Sequence, residues 1–141
     1  MKTILVAYDD TPPSKKALER TATLAEAFGS KVFVVSIATL THSGPRAITQ
    51  VGRGSSVGER EEDVQEGQRI LSERGIDAEA VAASGDPATA IARLAQERGA
   101  DLVVVGSREL GPAQRLLGQS VSQAVSRRVH CDLLIVHPDH N

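Results

Sequence analysis

Aromatic side chains are nearly absent from the sequence. There is no tryptophan, and Tyr8, Phe28 and Phe33 are the only rings of the aromatic class in 141 residues. That is too few to stack successive bases, which excludes a single-strand nucleic-acid platform. An excess of positive charge is also missing: 16 Lys and Arg stand against 18 Asp and Glu, a net charge of −2. A protein that binds by displacing counterions from phosphates needs the opposite balance. Cysteine occurs once, at Cys131, so no intrachain disulfide can form and the chain suits a reducing compartment. Apolar runs last only a few residues, far short of the ~20 that cross a bilayer. The run from Thr3 to Tyr8 is too short for a secretory signal, and no small-residue cleavage site follows it. The expectation is a soluble, cytoplasmic protein with no nucleic-acid or membrane partner.

What the chain does have is a regular alternation of apolar runs and amphipathic stretches. Its length suits a single domain over 1–141. Ile4-Leu5-Val6-Ala7 reads as a buried strand that ends at Asp9-Asp10. Thr11 is placed to cap a helix that takes Pro12 in its first turn. Leu18, Thr21, Ala22, Ala25 and Phe28 then form one apolar stripe, and Gly29 stops it. Val32–Ile37 is a second strand, apolar on both faces. Periodicity is lost over 39–58, which reads as a mobile surface loop. Glu59–Arg74 is a charged helix with a thin stripe of Val64, Gln68, Ile70 and Leu71. A weak strand over Ile76–Ala83 follows, then a helix capped by Asp86 with Pro87 at its first position. Leu102–Gly106 is the clearest buried strand. A short helix with Val121, Ala124, Val125 and Val129 leads to a last strand, Leu133–Val136. Strands buried on both faces and alternating with helices imply an α/β fold: a doubly wound, open, five-stranded parallel sheet with helices on both faces.

Such sheets bind ligands beyond the carboxyl ends of their strands, where the strand order reverses. Asp9 stands at one such end. It can accept hydrogen bonds from ribose hydroxyls, or hold the turn into the first helix. Gly106 stands at another, where a missing side chain lets the backbone approach a ligand or simply makes a turn. The amides after Gly106, with the helix start near Ser120 and Ser122, offer a cradle for an anion. Arg108 and Arg115 either add charge there or lie in solvent. No nucleophile is paired with a base: Cys131 opens a buried strand and reads as a core thiol. His137, His140 and Asp139 read as a polar tail rather than a metal site.

Four segments resemble the universal stress protein family: "ILVAYDDTPPSKKALERTATLA" from Ile4, "SGDPATAIARLAQERGADLVVVGSR" from Ser84, "GPAQRLLGQSVSQAVSRR" from Gly111 and "CDLLIVH" from Cys131. The resemblance implies a dimer, often paired through the final strand, here 133–137. It also implies an adenine nucleotide (ATP, AMP or cyclic AMP, with or without Mg) held by a glycine motif after the fourth strand. Gly106 matches the first glycine and Ser120 the closing hydroxyl, but Glu109 and Gln119 stand where the second and third glycines belong. Gly118 lies one place early and Gly111 two places late. At the adenosine end Ala7, Asp9 and Ile37 occupy matching positions. The nucleotide-binding set implied is therefore Ala7, Asp9, Ile37, Val105, Gly106, Arg108, Gly118, Gln119, Ser120 and Val121. A glutamate beside a triphosphate adds like charge, worth ~1–4 kcal/mol at 4 Å. Weak ATP binding, or a preference for a less charged nucleotide, is expected, in a regulatory protein rather than an enzyme. The alternative is a dimeric stress protein that binds no nucleotide and acts through protein partners.

Other readings of the acidic pair fail on particular residues. A phospho-acceptor receiver domain needs an aspartate where Gly106 ends its strand. A pyrophosphatase-type loop needs amide donors where Pro12 and Pro13 supply none. The stretch Gly52–Gly58 lacks the lysine of a Walker loop.

Overall fold

The computed structural model describes residues 1–9, 11–38, 57–107 and 121–137. Among these, β1 (Thr3–Ala7), β2 (Lys31–Ala38), β3 (Ala78–Ser84), β4 (Leu102–Gly106) and β5 (Asp132–Val136) alternate with α1 (Pro12–Phe28), α2 (Val57–Glu73), α3 (Pro87–Arg98) and α4 (Val121–Arg128). The strands form one sheet in the order β3-β2-β1-β4-β5, and every pairing is parallel. The doubly wound five-stranded reading is what the structure shows. β1 takes the centre because Ile4, Leu5 and Val6 can be buried on both sides at once, and all three are. Each such side chain contributes about 1.5–3 kcal/mol when removed from water.

Side-chain alternation splits the core into two layers. Ile4, Val6, Tyr8, Val34 and Val104 face α1 and α2, where Leu18, Ala22, Val64 and Leu71 meet them. Leu5, Val35, Val103 and Val105 face Ile91 and Leu94 of α3 and Val125 of α4. The chain runs β1 to β2 to β3 on one side, then returns across β1 to place β4 and β5 on the other. The reversal therefore falls between β1 and β4, and the site is expected beyond their carboxyl ends.

Two details depart from the sequence expectation. Phe28 has the right angular position for the apolar stripe of α1, yet it is 57% exposed. It is the last residue of the helix, with Gly29 in the left-handed conformation directly after it, whereas Ala25 in the same turn is buried. The charged helix α2 begins at Val57, so Val57 and Gly58 belong to it rather than to the loop. The rest of the predicted loop lies outside the described residues. The thin stripe of α2 includes a residue that the periodicity count passed over: Gly67 is buried, and a Cβ there would stand 2.9 Å from a methyl of Val34 and 3.4 Å from the Tyr8 ring. The glycine makes room for the one tyrosine.

Candidate nucleotide site

The exit of β1 is built by one bond to β2 and a set of short-range hydrogen bonds. The Tyr8 amide still donates to the Val35 carbonyl at 2.8 Å, so the chain stays extended for one residue beyond β1. The Asp9 amide then donates to Ser14 Oγ at 3.2 Å, and the Thr11 amide donates to the same oxygen at 3.1 Å. Ser14 Oγ gives its own proton to the Thr11 carbonyl at 3.0 Å, so both its lone pairs and its hydrogen are used. The Asp9 carboxylate is drawn into the same knot. Its Oδ1 accepts from Thr11 Oγ1 at 2.6 Å and from the Thr11 amide at 3.2 Å. Thr11 is extended (φ −91°, ψ 159°) and caps α1 with prolines in the first turn, as the sequence indicated. The turn-holding reading of Asp9 is thus correct.

The end of β4 is shaped by the same first turn. A Cβ on Gly106 would lie 2.5 Å from the Pro13 carbonyl oxygen and 2.6 Å from its carbon. Gly106 is therefore required by the seat of α1 on β4, a reason that sequence spacing does not reveal. The next amide, that of Ser107, donates to the Val136 carbonyl at 2.8 Å. This corrects part of the expected anion cradle: the Ser107 amide continues the β4–β5 ladder and does not point at a ligand. Arg108, Glu109, Gly118, Gln119 and Ser120 lie outside the described residues. Val121 is the first residue of α4.

Ala7 and Ile37, two of the residues expected to meet adenosine, lie near the ends of neighbouring strands on one face of the sheet. Ala7 is in register with Val35, two residues before Ile37, and Ile37 is in register with Ala83. All three of Ala7, Ile37 and Ala83 face the α3 and α4 layer. They are half-buried, whereas Leu5, Val35 and Val105, one step further in, are buried. The result is an apolar ledge at the carboxyl edge, with Asp9 beside it. Val105 sits behind the ledge in the core. On the same rim Asp86 caps α3. The Thr89 hydroxyl at 2.7 Å and the Thr89 amide at 3.0 Å hold its carboxyl below the usual carboxylate range.

At the other end of the sheet, burial, and then the charge of Asp132, push the half-buried Cys131 thiol up from its ordinary value. It is a thiol and a poor nucleophile at neutral pH. Among the described residues no group of three or more His, Cys, Asp or Glu is placed to hold a metal ion. No helix among them is long and apolar enough to cross a membrane.

The model of the universal stress protein family matches residues 1–137. The chain belongs to this family. A universal stress protein of Bacillus subtilis, YxiE, is 34% identical over 143 residues, spanning 94% of this chain and 97% of the relative. A universal stress protein solved in complex with cAMP superposes with a TM-score of 0.70 at 31% identity, covering 96% of each chain. A family member from Arabidopsis thaliana, solved with AMP bound, superposes with a TM-score of 0.74 at 20% identity, covering 99% of this chain and 93% of that one. At that identity the likeness is one of fold. Sequence reasoning named Ala7, Asp9 and Ile37 of this universal stress protein but passed over the hydrogen bonds by which Thr11 and Ser14 hold the Asp9 turn. The signal for them was present, since a hydroxyl three residues after an N-cap threonine is the spacing of a reciprocal cap.

Proposed function

We propose that this universal stress protein is a cytoplasmic, non-catalytic regulator that binds an adenine nucleotide beyond the ends of β1 and β4. Adenine lies on the ledge of Ala7 and Ile37, the Asp9 carboxylate accepts from the ribose, and the phosphates point toward Arg108 and the Gly118–Val121 stretch. The observation that carries the reading is the half-buried apolar ledge across the ends of β1, β2 and β3, which adjoins the β1–β4 switch point at Ala7 and has a carboxylate two residues further along the chain. The cAMP complex of a relative 31% identical over nearly the whole chain supports it. The phosphate end is the weaker half. The Ser107 amide is engaged in the ladder, and Glu109 and Gln119 replace the family's glycines. AMP or cyclic AMP should therefore bind more tightly than ATP, with or without Mg. Thermal melts with each nucleotide test this. A ligand at 100 times its dissociation constant stabilises by ~2.7 kcal/mol, about 10 °C for a domain of this size. No shift with ATP, AMP or cyclic AMP would leave the second reading, a protein that acts through partners alone.

The same chain is proposed to form a homodimer through β5. This strand is an edge of the sheet, and its Leu133, Leu134 and Ile135 are only half-buried. Apolar edges with open backbone groups pair readily with a copy of themselves. Light scattering at micromolar concentration should give twice the 14.9 kDa chain mass, and Ile135→Lys should halve it. A monomeric wild type would overturn the proposal.

A further inference from the structure

We propose that two copies of the chain join by laying β5 antiparallel against β5 with the twofold axis on Leu134; the inference rests on the β5 dimer proposed above and adds its register. Hydrogen bonding inside the sheet decides which backbone groups of β5 are turned outward. The Ser107 amide, just past β4, donates to the Val136 carbonyl, so Val136 turns its backbone groups toward β4. Successive residues of a strand present these groups to alternate sides, so Leu134 and Asp132 also face β4. Leu133 and Ile135 face outward, and Cys131 and His137, one residue beyond either end of the strand, continue the count. Two identical edges related by a twofold cannot pair in parallel, because a parallel ladder sets the facing residues of one strand one step out of line with those of the other. They pair antiparallel, and outward-facing residues then lie opposite outward-facing residues. The axis must therefore pass through a residue of β5 rather than between two.

Leu134 is the middle of the five-residue strand, so an axis there pairs every residue of β5. An axis on Leu133 or Ile135 leaves two strand residues of each copy without a partner. The side chains agree with the central position. Leu133 of one copy then lies opposite Ile135 of the other on the α3 and α4 side, and Leu134 meets its own copy on the α1 and α2 side. All three are half-buried, so both core layers have an unfinished apolar edge here, and the second copy covers both at once. The exposed Asp132 carboxylates fall at opposite ends of the paired strands, away from one another. The other edge of the sheet carries a cap. The Val32 amide takes the Asp77 carbonyl, so the carbonyl of Ala78, the next residue, faces outward from β3. Gln68 Nε2 of α2 donates to it at 2.9 Å and occupies the first acceptor that a strand laid against β3 would use.

The test is oxidative cross-linking with copper phenanthroline, read on non-reducing gels, with light scattering of each reduced protein to confirm folding and pairing. Cys131 is the only cysteine of the chain, so a Cys131→Ser background has none. In that background Leu134→Cys places two thiols across a non-hydrogen-bonded pair, where Cα atoms stand ~4.5 Å apart, within disulfide reach. It should run at twice the 14.9 kDa chain mass. Leu133→Cys and Ile135→Cys should stay at the single-chain mass, because each then lies diagonally from its own copy at roughly 7–8 Å, beyond that reach. Should Leu134→Cys not fold, the exposed position supplies a second variant: His137→Cys with Cys131 retained should link, since the axis sets residue 131 opposite residue 137. A link at Leu133→Cys or Ile135→Cys in place of Leu134→Cys overturns the register and leaves the β5 dimer standing. Equal links at all three positions report random collision and overturn the register as well. No link in any variant, His137→Cys included, from a wild type that scatters as a dimer overturns β5 as the interface. A monomeric wild type overturns the dimer reading and this inference together.

Discussion

Gly106→Ala is expected to destabilise the protein by about 3 kcal/mol, the upper part of the range for an overpacked core, and to abolish nucleotide binding. The new methyl would have to occupy a point 2.5 Å from the Pro13 carbonyl oxygen. Both partners in that clash are backbone, so no side-chain rotation relieves it. Either the end of β4 or the first turn of α1 must move. That turn carries Thr11 and, through Ser14, fixes the Asp9 amide. The damage therefore reaches the site as well as the core. Circular dichroism melts should show a midpoint lowered by roughly 10 °C, and calorimetry below that midpoint should detect no AMP binding. A variant that melts like the wild type would show that α1 does not seat on β4 as described.

Tyr8→Ala should cost at least as much stability, about 3–5 kcal/mol as for other buried aromatics, with the opposite outcome for binding. Tyr8 lies between two proposed site residues in sequence, Ala7 and Asp9. Its ring, however, points to the other layer and packs against Val34 and the Gly67 backbone of α2. A strand sends successive side chains to opposite faces, so this position reports on stability alone. Urea unfolding should give the large loss. AMP affinity, measured where the variant is still folded, should stay within about 3-fold of wild type. Loss of binding in a folded Tyr8→Ala protein would place the site on the wrong face of the sheet.

The two expectations show what the sequence could and could not reveal. Periodicity and turn residues are local properties, so the strands, the caps at Thr11 and Asp86 and the five-stranded winding were readable from neighbouring residues. The shared face of Ala7, Ile37 and Ala83 follows from parity once the strands are aligned. The rest depends on contacts between distant parts of the chain. Nothing near Gly106 indicates that Pro13 will sit on it. The bond from the Ser107 amide to Val136 depends on β5 lying beside β4, which the order of elements alone does not fix. Phe28 keeps the period of the stripe but is exposed, because burial is decided by tertiary neighbours that periodicity does not specify. Asp9 posed a choice between ribose and turn, and the turn half of it was settled by a threonine two residues away.

The solitary tyrosine also has an experimental use. With no tryptophan in the chain, tyrosine fluorescence comes from one ring, and that ring is enclosed between β1, β2 and α2. Its emission and near-ultraviolet dichroism are therefore a built-in optical gauge of that layer. Loosening of α2 registers in the signal, whereas events confined to the ledge on the opposite side leave it unchanged.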